Sequence, residues 1–133
     1  MKTILFTLLT ILLTGCLVGA VAAEPAAAPG VRGRVMHVVS LKFKPEATPA
    51  QIQEVEQAFR GLKTKIPQIR SLEWGTNVSP EHLNKGFTHA FVLTFRNDKD
   101  RDAYLVDPAH KAFGQLLHPV LADVFVIDFW IQH

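Results

Sequence analysis

Between Arg34 and Ile131 the chain changes its hydrophobic period in a set order, and that order limits the folds open to it. Arg34 to Phe43 alternates: Val35, His37, Val39, Leu41 and Phe43 share one face, and Met36, Val38, Ser40 and Lys42 the other, as in a strand. Thr48-Pro49-Ala50-Gln51 then opens a helix. Threonine caps it, proline suits the first helical position, and glutamine three residues on completes a capping box. Ile52, Val55, Phe59, Leu62 and Ile66 follow as one apolar stripe, and Pro67 ends the run. Ile69 to Asn77 reads as a second strand, with Leu72, Trp74 and Thr76 on one face. After a loop from Val78 to Gly86, Phe87 to Phe95 reads as a third, with Phe87, His89, Phe91, Leu93 and Phe95 together. Asn97 or Asp98 caps a short helix to about Val106; Asp107-Pro108 restarts it, cap then first helical position. His110, Phe113 and Leu117 form the next stripe, His118-Pro119 stops it, and Leu121 to Ile131 is a last apolar strand broken by Asp123 and Asp128.

Strand-helix-strand-strand-helix-strand predicts an α+β, ferredoxin-like βαββαβ subunit with a four-stranded antiparallel sheet and helices on one face. The other face would carry Met36, Val38, Ala90 and Val92, too apolar to meet water. A self-complementary partner fits it, so a two-fold homodimer through the open face is expected.

The first residues differ in kind. Met1-Lys2, an apolar run from Thr3 to Leu13 and the small residues Ala20-Val21-Ala22-Ala23 have the layout of a signal peptide over 1–23. Leu13-Thr14-Gly15-Cys16 also resembles a bacterial lipobox, in which Cys16 would be lipidated and become the mature N-terminus. Both readings place the domain outside the cytoplasm, periplasmic or secreted, with membrane contact only through the leader or that lipid. Residues 24–33, rich in Ala, Pro and Gly, read as a flexible linker, leaving 34–133 as the domain. Cys16 is the one cysteine, so the folded part has neither a disulfide nor a thiolate metal site to hold it. An apolar core, with help from a partner subunit, must do so.

Charge says little about partners. There are 14 basic and 12 acidic side chains, one of the basic ones in the leader. That balance argues against nucleic acid, as does the lack of aromatic and basic residues alternating on one strand face.

Chemistry gathers in Tyr104 and Asp107-Pro108-Ala109-His110, with His37 and His89 on apolar strand faces. Both strand histidines point between sheet and helices, where Tyr104 and His110 would arrive from the second helical segment. The expected site is a small, mostly apolar pocket lined by His37, His89, Phe91 and Phe113, with His110 and Tyr104 as its reactive groups. His110, third in its helix, faces the positive end of the dipole; that and burial both disfavour imidazolium. A neutral imidazole can take a proton from carbon beside a carbonyl, and Tyr104 can donate to the enolate oxygen. Against this, a buried histidine often bridges backbone groups and does nothing else, which suits His89 and His37 as well. Three histidine nitrogens could also hold zinc, but no close-spaced ligand motif supports it, and neither metal nor cofactor is expected.

Val39-Ser40-Leu41-Lys42-Phe43-Lys44, Trp74-Gly75, Lys85-Gly86-Phe87-Thr88-His89, Tyr104 with Asp107-Pro108-Ala109-His110, and Asp128-Phe129 form an ordered set. In that set the chain resembles the stress-responsive α/β-barrel domain family, from about Val35 to Trp130. The resemblance implies ferredoxin-like subunits that dimerise through their sheets into a barrel. One family member is a plant polyketide cyclase that closes a linear polyketone by aldol chemistry without metal. Its catalytic tyrosine and histidine fall on Tyr104 and His110, and two further pocket histidines on His37 and His89. The chain departs at Asp107, where the cyclase has another histidine. Most members have no established activity, so three functions remain in view: a binding module for a small hydrophobic molecule, a cyclase- or isomerase-like enzyme, and a structural dimer without ligand.

Overall fold

The computed structural model describes residues 33–132. The expected signal peptide, Cys16 and the linker to residue 32 lie outside the described residues, as does His133.

Four strands and three helices follow in the order β1 (Val35–Phe43), α1 (Pro49–Lys65), β2 (Ser71–Thr76), β3 (His89–Phe95), α2 (Asp98–Val106), α3 (Pro108–Leu117) and β4 (Leu121–Trp130). They form one antiparallel sheet in the order β2-β3-β1-β4. This is the ferredoxin-like arrangement the periodicity predicts, with the second helix divided at Asp107.

Local chemistry explains each helix start. Thr48 and Gln51 exchange the two bonds of the capping box ahead of Pro49. The Asn97 side chain accepts from the Asp100 amide and opens α2. Asp107 ends α2 and caps α3, its Oδ1 accepting from the Ala109 amide at 2.8 Å, with Pro108 first in the new helix. The β2 and β3 strands are shorter than their alternation suggests. Their ladder nevertheless continues past both ends, through Arg70 N–H to Thr94 O and Asn77 N–H to Thr88 O, each at 2.8 Å.

The core lies between helices and sheet. Val55, Phe59 and Leu62 of α1 meet Val39, Leu41, Phe91 and Leu93, with Phe113 and Leu117 of α3 closing the layer. Phe91 is fully enclosed, its ring stacked 3.9 Å from Phe59, which in turn lies 4.7 Å from Phe113. Both Phe91 and Phe113, expected as pocket walls, are thus packed into the core.

β4 is the exception. Its register places Val124, Val126, Asp128 and Trp130 on the helix side and Phe125, Ile127 and Phe129 on the open side. All are exposed, since no helix covers this edge strand. The chain leaves apolar surface on both sides of one strand as well as on the open sheet face.

Candidate active site at Tyr104 and His110

β1 is the backbone of the site. Register sets His37 opposite Asp128 of β4 on one side and Leu93 of β3 on the other. Asp128 Oδ1 lies 2.5 Å from His37 Nδ1, and its second oxygen accepts from Arg101 of α2. A carboxylate only accepts, so Nδ1 carries the His37 proton. Arg101 also bonds Asp102 at 2.8 Å, and these two acids hold its pKa above the usual value, Asp102 most strongly.

Three rings run outward from this bridge. Tyr104, one turn beyond Arg101 on α2, meets His37 edge-on at 5.5 Å between centroids. His110, from the first turn of α3, lies 4.3 Å on the other side of Tyr104. Phe95 backs the group at 5.1 Å from Tyr104. The break between α2 and α3 makes this contact possible, because one continuous helix would hold Tyr104 and His110 at a fixed angular offset.

His110 has a settled tautomer. Its Nδ1–H donates to the Leu105 carbonyl at 3.2 Å, one of the last four of α2 that lack a helical partner. Nε2 is left with a free lone pair. Burial lowers the His110 pKa below 6.5, the neighbouring His37 adds to that, and the Leu105 bond and Asp107 oppose it. The imidazole is therefore neutral near pH 7.

Tyr104 is only 1% exposed, and burial, reinforced by the charge of Asp128, pushes its pKa far above the ordinary phenol value. It is a donor, not a phenolate. Its hydroxyl makes no hydrogen bond to any described residue. A neutral base and an unused donor stand side by side.

His89 is elsewhere. It pairs with Leu41, four residues along β1 from His37, which is about 13 Å at strand spacing. Both of its nitrogens are used: Nε2 with Glu56 of α1 at 2.9 Å and Nδ1 with the Thr88 hydroxyl at 2.8 Å. Phe43 meets it edge-on at 5.1 Å. His89 ties α1 to β3 and does not join Tyr104 and His110. Of the residues expected to line one pocket, His37 meets Tyr104 and His110 through that ring, while His89 stands apart from them. Nor do His37, His89 and His110 converge as a ligand set: among the described residues no three His, Cys, Asp or Glu side chains gather within metal-binding reach.

The cavities lie to either side. One of about 110 Å³ is lined by Val35, Asp98, Arg101, Asp128, Phe129 and Trp130, against the outer end of the His37 bridge. Another of about 360 Å³ lies over Ser40, Ala90 and Phe125 and has His89 in its wall. Neither is lined by Tyr104 or His110.

Arg101 and Glu56 escaped the sequence reading. Each looks like a solvated charge on an amphipathic helix. The available signal was spacing: Arg101 precedes Tyr104 by three residues, so the two share a helix face. In the sequence Asp128 stands out as an acid that breaks an apolar strand, with nothing to name its partner.

The stress responsive A/B barrel domain matches residues 35–131. The chain belongs to that family. It is 34% identical over 98 residues to a stress-response A/B barrel domain-containing protein of Arabidopsis thaliana, covering 74% of this chain and 90% of the relative. Olivetolic acid cyclase of Cannabis sativa is 30% identical over 95 residues, covering 71% and 94%. Among solved structures, a hydroxynitrile lyase from Passiflora edulis superposes with a TM-score of 0.71 at 25% identity, covering 76% of this chain and 95% of the lyase. A protein of Jannaschia sp. CCS1 described as dimeric and ferredoxin-like has a TM-score of 0.66 at 25% identity, covering 74% and 100%. The family thus includes proteins named as enzymes and others with no stated function.

Proposed function

We infer that this A/B barrel protein is a proton-transfer enzyme acting on a small, largely apolar carbonyl compound, with His110 Nε2 as base and Tyr104 as hydrogen-bond donor to the oxygen that gains charge. The observation that carries this is the His110–Leu105 bond. It spends Nδ1 on the backbone and leaves Nε2 basic beside a protonated phenol. A base that is neutral near the working pH needs no activation step. The donor stabilises the developing enolate more than the ground-state carbonyl, which is the difference that lowers a barrier. His37, held by Asp128 and Arg101, sets the orientation of the Tyr104 ring. Relatives named as a cyclase and a hydroxynitrile lyase support an enzymatic reading over simple binding.

The test is a nitrogen-detected NMR titration of His110. The expected spectrum is the Nδ1–H tautomer at neutral pH, with protonation completed well below pH 6.5. An imidazole already charged at pH 7 would sink the assignment, because it would have no lone pair to offer.

The same reading includes a homodimer. Phe125, Ile127 and Phe129 on the open face and Val124, Val126 and Trp130 behind them are between 39% and 51% exposed. Contiguous apolar surface of this kind is rare on monomers, and the dimeric Jannaschia protein supports a second copy as its cover. Sedimentation at low micromolar concentration is expected to give a dimer; a monomer there would contradict the assembly.

A further inference from the structure

Tyr104 is the hydrogen-bond donor, yet it is sealed from any substrate. Only 1% of the residue is exposed. His37, Phe95 and His110 close on its ring at 5.5, 5.1 and 4.3 Å between centroids. A ketone has no approach to the phenol while these contacts hold. Some element has to move, and α2, which carries Tyr104, is the one least firmly held.

Of the nine residues of α2, Tyr104 alone is buried, whereas α1 buries Val55, Phe59 and Leu62 and α3 buries Phe113 and Leu117. Leu105 and Val106, at its end, are 41% and 64% exposed. The helix stands on the His37 and Phe95 side of the sheet, across from the open face that a second copy would cover. Burial of an apolar face is what holds a helix to a sheet, and elements with little of it open first. Both ends of α2 can bend. Asn97 before it is fully extended. Asp107 is the single extended residue between α2 and α3, and Pro108 after it has no N–H to bond back across the junction.

Three contacts hold α2 down. Arg101 donates to Asp128 of β4. The Tyr104 ring sits between those of His37 and His110. The Leu105 carbonyl accepts from His110 Nδ1–H at 3.2 Å. These residues follow one another closely on one short helix, so the contacts form and break together.

We propose that α2 is a lid over the active site, hinged at Asn97 and Asp107 and latched by the Arg101–Asp128 pair, which lifts to admit the carbonyl compound and reseats to assemble the catalytic group. Its purpose rests on the proton-transfer reading. With α2 lifted, His110 loses the carbonyl that fixes its tautomer, and the His37–Asp128 bridge loses Arg101. Reseating restores both around the bound substrate, brings the phenol to the substrate oxygen and shuts out water. The reaction is thereby confined to the closed state, in which the enolate is kept from solvent.

The test is amide hydrogen exchange of the intact protein, read by mass spectrometry, beside nitration of Tyr104 by tetranitromethane. Tyr104 is the one tyrosine of the chain, so the nitrated product reports a single site. Amides from Asp102 to Val106 are expected to exchange at least about tenfold faster than those inside α1 and α3. Tyr104 should be nitrated under conditions in which the α1 amides stay protected. Arg101→Gln should speed both α2 exchange and nitration at least about tenfold, the usual worth of a charge-assisted hydrogen bond. Val55→Ala, which loosens the core beneath α1, should speed exchange in α1 and leave α2 unchanged, because the lid opens without the core. Exchange in α2 as slow as in α1, and rising with it in Val55→Ala, would overturn the proposal: the helix would then leave only when the whole protein unfolds. An Arg101→Gln variant with wild-type α2 exchange would overturn it too. Neither readout needs turnover, so failure of the lid is told apart from failure of the proton-transfer reading, which shows in turnover and in the titration of His110.

Discussion

Phe91→Ala is expected to remove about 3–5 kcal/mol of stability, the usual cost of deleting a packed phenylalanine. The ring is wholly buried, stacked on Phe59 at 3.9 Å and faced by Trp74 at 5.7 Å. Phe59 in turn leans on Phe113. Removing it therefore unsupports β3, α1 and α3 together, and those elements cannot all close on the gap. A typical domain has about 5–15 kcal/mol in total, so the variant should be marginal. Urea unfolding gives the answer. A loss below about 1 kcal/mol would mean that Phe91 borders an open pocket rather than filling the core.

His110→Gln is expected to lower turnover by about 10²–10⁴-fold while leaving the fold intact. Glutamine is close to histidine in length but sets its amide nearer the place of Nε2 than of Nδ1, so the bond to the Leu105 carbonyl is given up together with the basic lone pair. Tyr104→Phe keeps the ring packing against His37 and His110 and removes the donor, with an expected loss of about 10²–10³-fold. The pH dependence has a fixed sign. Burial lowers the folded-state His110 pKa below 6.5. The neutral base is thus fully available above that value, and activity falls on acidification with a midpoint below 6.5. Stability follows the same direction: between 6.5 and the lowered value the unfolded chain binds more protons, so the contribution present above 6.5 fades as pH falls.

What could be read from sequence was local or periodic. Thr48-Pro49-Gln51 and Asp107-Pro108 announce helix starts because their caps bond within three residues. Alternation told which face of β1 and β3 meets the helices, and His37 and His89 both lie there. It could not tell how far apart they sit, because register is set by pairing across the sheet. That one missing quantity placed His89 in one pocket with His37, Tyr104 and His110. It also hid the His37–Asp128 bridge, which joins residues 91 apart in sequence. Arg101 and Glu56 were hidden differently. On amphipathic helices they look like solvated charges, and only tertiary packing brings Asp128 to Arg101 and the buried His89 to Glu56. β4 shows a third limit: its apolar residues predict burial, yet one subunit leaves them exposed.

The most direct test of the account is proton exchange in heavy water. A panel of small aromatic and aliphatic ketones and aldehydes, followed by proton NMR, reports whether the protein removes hydrogen from carbon next to a carbonyl. Catalysed exchange is expected for at least one apolar member, level near neutral pH, falling below pH 6.5 and lost in His110→Gln. Exchange no faster than in buffer across the panel, or undiminished in His110→Gln, would contradict it.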